Sequence, residues 1–169
     1  MTARNALRGL AVTGFGPGEL ICKLNRAACL FIEGITGTVV CGLYSPVSRT
    51  LRWARAGHLP PVLVRGDSAA ELPLPGGVLL GMDPDAEYEE ATQSLRPGDT
   101  LLLFTDGLIE RRGESIVDVL EEFVAAVTPR PPGRPGEAGL SAAAQADRIL
   151  ASAVSDTGDD ACLVAVRIR

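Results

Sequence analysis

The stretch Arg96-Pro97-Gly98-Asp99-Thr100-Leu101-Leu102-Leu103-Phe104-Thr105-Asp106-Gly107 reads as a turn, a strand and an acid in direct succession. Pro97 fixes φ and Gly98 relaxes it, so residues 96–99 turn the chain. The apolar run 100–104 that follows suits a buried strand. Thr105-Asp106-Gly107 then sets a carboxylate at the strand's end. There it is held by the strand, faces the edge of the fold, and has beside it a glycine that lets backbone approach an ion.

Working outward, the same pieces recur in reverse near the C-terminus, where Asp159-Asp160 directly precedes the apolar run 161–166. Between the two acids, residues 114–127 repeat at helical spacing. Ile116, Val117, Leu120, Phe123, Val124 and Val127 fall on one side, with Glu121 and Glu122 outside. Residues 128–139 are rich in Pro and Gly and read as a loop or mobile linker. Residues 140–154 predict a final helix.

Upstream of the decisive stretch the period is that of strands. Residues 38–44 are β-branched and apolar, 45–48 are turn material, and 50–56 alternate polar and apolar, which predicts a hairpin. Strand 62–65 follows the tight connection Gly57-His58-Leu59-Pro60-Pro61. A turn at 66–68 leads toward 71–74, glycines punctuate a loop at 76–81, and 87–95 reads as a further strand. Before all of these come a helical segment at about 2–12, a break at 13–18, and a helix over about 17–30. In that helix Leu20, Ile21, Leu24, Ala27, Ala28 and Phe31 share a face, with Asn25 and Arg26 on the wetter side. Consecutive strands with segregated helices predict an α+β sandwich.

The 169 residues fit one domain with a real core; 46% are hydrophobic and only 4% aromatic, so that core is aliphatic. A net charge of −5, with no basic stripe interleaved with aromatics, removes the main source of nucleic-acid affinity. Cys22, Cys29, Cys41 and Cys162 form no CxxC pair and the chain has a single histidine, which argues against structural zinc. Cys22 and Cys29 read as small apolar residues in a reduced cytoplasm. No apolar run has signal-peptide or membrane-spanning length, so the expectation is a soluble cytoplasmic protein.

On spacing alone two readings of the acids stand. Asp106 begins a turn and Asp159-Asp160 cap a loop, or the strand ends bring them side by side around a hard divalent cation, which suppresses their repulsion. His58 reads either as shaping its turn or as a general acid near a phosphate. Arg111-Arg112 reads either as a solvated helix start or as a lure for a phosphoprotein. No GxSxG elbow, GxxxxGK[ST] or GxGxxG is present.

Several segments together resemble the SpoIIE-like (PPM-type) metal-dependent protein serine/threonine phosphatases. Thr105-Asp106-Gly107-Leu108-Ile109-Glu110 is similar to their TDGLxE motif and residues 96–103 to its PGDxLLL lead-in. Ala56-Gly57-His58-Leu59-Pro60-Pro61 resembles their AGHxPP turn, Leu80-Gly81-Met82 their LG(V/M) segment, and residues 159–164 their closing DDxxLLV. The matches keep the family's order from about Gly18 onward.

The resemblance implies an αββα sandwich of two antiparallel β-sheets flanked by helices. It implies two Mn²⁺ or Mg²⁺ ions that activate water for attack on a phosphoserine or phosphothreonine ester. Carried over by motif, Asp106 and Asp159 are metal ligands, with Asp160 and Gly107 supporting them; His58 and Arg111, on their own residue chemistry, are candidate substrate-site residues. The implied partner is a phosphoprotein, often the antagonist of an anti-sigma factor, in sigma-factor or stress-response control.

One family motif has no match. The early GDxxGxG segment, whose aspartate bridges both metals, has no counterpart before Thr36. The expectation is therefore a domain over 1–169 that is incomplete at its N-terminus and binds one metal weakly. Turnover by the chain alone would be slight, and exposed sheet edges would invite a second copy. The rival expectation is a catalytically impaired phosphatase fold serving as a protein-binding module.

Overall fold

The computed structural model describes residues 3–31, 34, 36–129, 141–152, 158 and 160–169. The chain forms two compact units, residues 1–58 with 73–95, and residues 59–72 with 96–169.

The first unit carries helices α1 (Ala3–Ala11) and α2 (Pro17–Phe31) and strands β1 (Val39–Ser45) and β2 (Thr50–Ala56). The expected hairpin is present, with Val39 opposite Ala56 and Ser45 opposite Thr50. A third strand, β5 (Ala91–Ser94), pairs antiparallel with β2 and gives the sheet order β1-β2-β5. Only part of the strand expected at 87–95 forms, as Ala91–Ser94; just before it Glu89 N–H donates to Gly76 O at 3.0 Å. Glu89 Oε2 accepts from Gly76 N–H, and Glu90 accepts from Gly18 N–H and from Arg52. Ile21 and Leu24 of α2 bury against Ala54 and Ala56, with Leu80 and Tyr88 completing the cluster. Small alanines on the sheet let the helix sit close.

Asn25 departs from the sequence reading. It is fully buried instead of facing water. Its amide donates to Asp83 O at 2.7 Å while its oxygen accepts from Gly81 N–H at 2.8 Å, so both halves are satisfied by loop backbone. Phe31, expected on the apolar face, is 83% exposed at the helix end.

The second unit holds a four-stranded antiparallel sheet of order β4-β3-β6-β7, from β3 (Val62–Arg65), β4 (Ser68–Glu71), β6 (Thr100–Phe104) and β7 (Leu163–Arg167). β4 begins earlier than the sequence suggested because Gly66, at φ 60°, closes a tight hairpin that sets Ser68 opposite Arg65. Helix α3 (Ile116–Val127) starts at the N-cap Ser115, whose hydroxyl accepts from Val117 N–H. Val119, Leu120, Phe123 and Val127 pack with Val62, Val64, Leu102 and Phe104, joined by Ile149 of helix α4 (Ala142–Ser152). The Phe104 and Phe123 rings lie 4.4 Å apart at 43°. β7, expected to be buried, is an edge strand with Val164 and Val166 substantially exposed. The loop expected at 128–139 lies almost wholly outside the described residues. Among the described residues no helix is long and apolar enough to cross a membrane.

Candidate functional site

β6 and β7 pair so that Phe104 stands opposite Leu163. The next opposed pair, Thr105 and Cys162, would ordinarily exchange two backbone hydrogen bonds. One is made: Thr105 N–H donates to Cys162 O at 3.1 Å. The other is not, because the Thr105 carbonyl has turned to accept from Leu108 N–H at 3.0 Å, opening a 3-10 turn over Asp106–Leu108. Cys162 N–H instead donates to the Thr105 hydroxyl at 2.9 Å, and that hydroxyl donates to Asp160 O at 3.0 Å.

One side chain thus ties the exit of β6 to the entry of β7, and the two acid-bearing segments come together at one end of the sheet. Asp106 is solvent-exposed, with Oδ1 accepting from Gly107 N–H at 3.0 Å. Its carbonyl accepts from Ile109 N–H and Glu110 N–H, both at 2.8 Å. Leu108 and Ile109 are buried in the second unit's core and anchor the turn from below. Asp160, whose carbonyl accepts from the Thr105 hydroxyl, is exposed as well. Asp159, the other expected ligand, lies outside the described residues.

The opposite end of β6 is closed by an ion pair. Arg65 Nη2 lies 2.6 Å from Asp99 Oδ2, with Nε 3.0 Å from Oδ1, and Arg96 N–H donates to Oδ2 at 2.8 Å. Burial pushes the Asp99 carboxyl up, but the hydrogen bonds from Arg65 and Arg96 N–H, with the charges of both arginines, outweigh it and hold the pKa below the ordinary carboxylate value. β6 is therefore pinned at both ends, which fixes where Asp106 emerges.

Neither Arg111 nor His58 takes part in the Thr105 tie. Arg111 follows the turn, and its Nη1 donates to Glu122 Oε2 at 2.8 Å and to Glu114 Oε2 at 3.3 Å. These contacts hold the guanidinium charged and against α3. Beside it a cavity of about 170 Å³ is lined by Leu108, Ile109, Phe123, Arg148 and Ile149 among others. His58 belongs to the first unit. It is half-buried after Gly57, whose φ of 63° shapes the turn, and its carbonyl accepts from Arg55 Nη1 at 3.0 Å.

The donor chemistry suits a hard divalent cation: exposed carboxylates, Asp106 and Asp160, on two segments joined by the Thr105 hydroxyl, with no thiolate or imidazole required. Among the described residues no three His, Cys, Asp or Glu side chains converge on one point. The sequence reading missed Thr105. The available signal was a β-branched hydroxyl residue just after the strand and before Asp-Gly, where a side-chain oxygen reaches the lead-in to the neighbouring strand.

The full chain, residues 1–169, matches the profile of the family described as Stage II sporulation protein E (SpoIIE). Over 117 residues, 65% of this chain and 33% of the relative, it is 30% identical to the phosphoserine phosphatase RsbU of Bacillus subtilis. The crystal structure of the RsbU and RsbW domains of Rv1364c from Mycobacterium tuberculosis superposes with a TM-score of 0.81 at 27% identity. It covers 99% of this chain and 47% of that one. The manganese-presoaked phosphatase domain of the cell fate determinant SpoIIE from Bacillus subtilis gives a TM-score of 0.59 at 17% identity, over 99% and 72% of the two chains. That last likeness is one of fold: two antiparallel sheets with flanking helices. The chain spans about a third of RsbU and under half of the mycobacterial protein.

Proposed function

We propose a function from one premise: this chain belongs to the SpoIIE family. It acts as a PP2C-type phosphatase domain that hydrolyses phosphoserine or phosphothreonine on a protein. Water's oxygen bonds to phosphorus, the ester P–O bond breaks, and the side-chain oxygen leaves with a proton. Asp106 and Asp159 hold divalent metal, Mn²⁺ or Mg²⁺, with Asp160 and the Gly107 N–H supporting them. Such ions, when bound, make water more acidic and neutralise charge on the phosphoryl oxygens.

The chain's own contribution is placement. Asp106 rides on a strand pinned at both ends, so its carboxylate needs little reorganisation to take up a ligand position. Gly107 N–H orients one carboxylate oxygen. Arg111 is assigned to the phosphoryl side of the substrate. The substrate is a phosphoprotein of a sigma-factor control system, a phosphorylated antagonist of an anti-sigma factor. RsbU's description as a phosphoserine phosphatase, and the joining of RsbU and RsbW domains in one mycobacterial chain, support this reading.

The observation that carries the proposal is the Thr105 tie, which sets Asp106 beside the segment ending in Asp160. The test is Mn²⁺-dependent hydrolysis of a phosphoserine peptide by the chain and by Asp106→Asn. Turnover that needs Mn²⁺ and is lost in the variant is the expected result.

A second reading, a phosphatase fold that binds partners without turning them over, draws on the lack of any three converging ligands among the described residues. No hydrolysis and no Mn²⁺ uptake by the folded chain would favour it.

A further inference from the structure

We propose that Thr105 is a positioning residue for the divalent-metal site, its hydroxyl setting the separation between Asp106 and Asp160. The inference rests on the metal reading above, with Asp106 as a ligand and Asp160 as its support, and adds a residue with no carboxylate of its own.

The geometry makes two demands at one point. The chain must leave β6 to place Asp106 on a turn, and this withdraws the Thr105 carbonyl from the ladder. The lead-in to β7 must nevertheless stay in register, since Asp160 lies two residues before Cys162, the last residue tied to β6. A hydroxyl one bond beyond Cβ meets both demands. It accepts from Cys162 N–H in place of the missing carbonyl, and donates its own hydrogen bond to Asp160 O. Thr105 is extended, at φ −82° and ψ 155°, a conformation its β-branch favours. Valine would keep that shape and preference but leave Cys162 N–H and Asp160 O without this partner. Serine would keep the hydroxyl.

Partners that orient metal ligands in this way typically change metal affinity by about 10–100-fold when removed. Mn²⁺ alone is titrated into the chain and into Thr105→Val and Thr105→Ser, with binding read by calorimetry or by the Mn²⁺ electron paramagnetic signal. Thr105→Val, folded and with an unchanged urea m-value, is expected to bind ~10–100-fold more weakly. Thr105→Ser is expected to recover most of the loss.

Equal affinity in wild type and Thr105→Val, with Asp106→Asn impaired, overturns the role of Thr105 and leaves the metal reading standing. A wild-type chain that takes up no Mn²⁺ overturns both. Amide hydrogen exchange on the unaltered chain gives a readout that survives a misfolded variant. Cys162 N–H is expected to exchange far more slowly than an unstructured amide, and exchange at the unstructured rate would overturn the tie itself.

Discussion

The Arg65 guanidinium closes on the Asp99 carboxylate at 2.6 Å, and Asp99 is 2% exposed. The same carboxylate accepts from Arg96 N–H, so one acid completes both an ion pair between strands and the turn that starts β6. Replacing it with a neutral isostere weakens the ion pair and the turn together. Asp99→Asn is expected to lower unfolding free energy by about 1–3 kcal/mol, measured by urea denaturation at neutral pH with the m-value unchanged.

The same contact predicts an acid dependence. The native pKa of Asp99 lies below its unfolded value, so its stabilisation is complete above the ordinary carboxylate pKa of about 3.9. That stabilisation is lost as pH falls through the lower native value. Urea midpoints followed downward from pH ~6 should therefore fall more steeply in wild type than in Asp99→Asn. Parallel curves would show that the contact contributes nothing in this range.

Tyr88 gives the converse case. Its hydroxyl is buried with no hydrogen-bond partner among the described residues, and burial pushes its pKa up to about 12. Tyr88→Phe removes an unsatisfied group and is expected to be neutral or to stabilise by up to about 1 kcal/mol. In wild type the unfolded chain ionises this phenol near pH ~10 while the native state does not. Stability therefore declines as pH rises from about 10 toward 12, and Tyr88→Phe lacks that component.

Asn25 supports the loop that carries Gly81 and Asp83 through both halves of its amide. Asn25→Leu, close in size, leaves a buried N–H and a carbonyl without that partner and should cost about 1–3 kcal/mol. Asn25→Asp should cost more at neutral pH, because its carboxylate meets the Asp83 carbonyl where an N–H donated, and should recover in acid. Thermal unfolding of both variants across pH separates the two effects.

β6 and its turn were legible because proline, glycine and an unbroken apolar run are local signals that no distant contact overrides. The acid at the strand's end followed from the same signals. Asn25 was misread because polarity was taken to mean water, whereas its amide meets backbone groups more than fifty residues along the chain. β7 was read as buried because an apolar run does not reveal whether it will lie inside a sheet or at its edge. Thr105 was invisible for a subtler reason. Its role exists only once the partner strand is in register, and register is a property of the pair.

Leu108 and Ile109, within three residues of Asp106, sit in the same apolar cluster as Val119, Phe123 and Ile149. The packing of α3 and α4 and the footing of the turn that carries Asp106 therefore rest on the same residues. A substitution in α3 or α4 that shifts this cluster is expected to move the turn that carries Asp106.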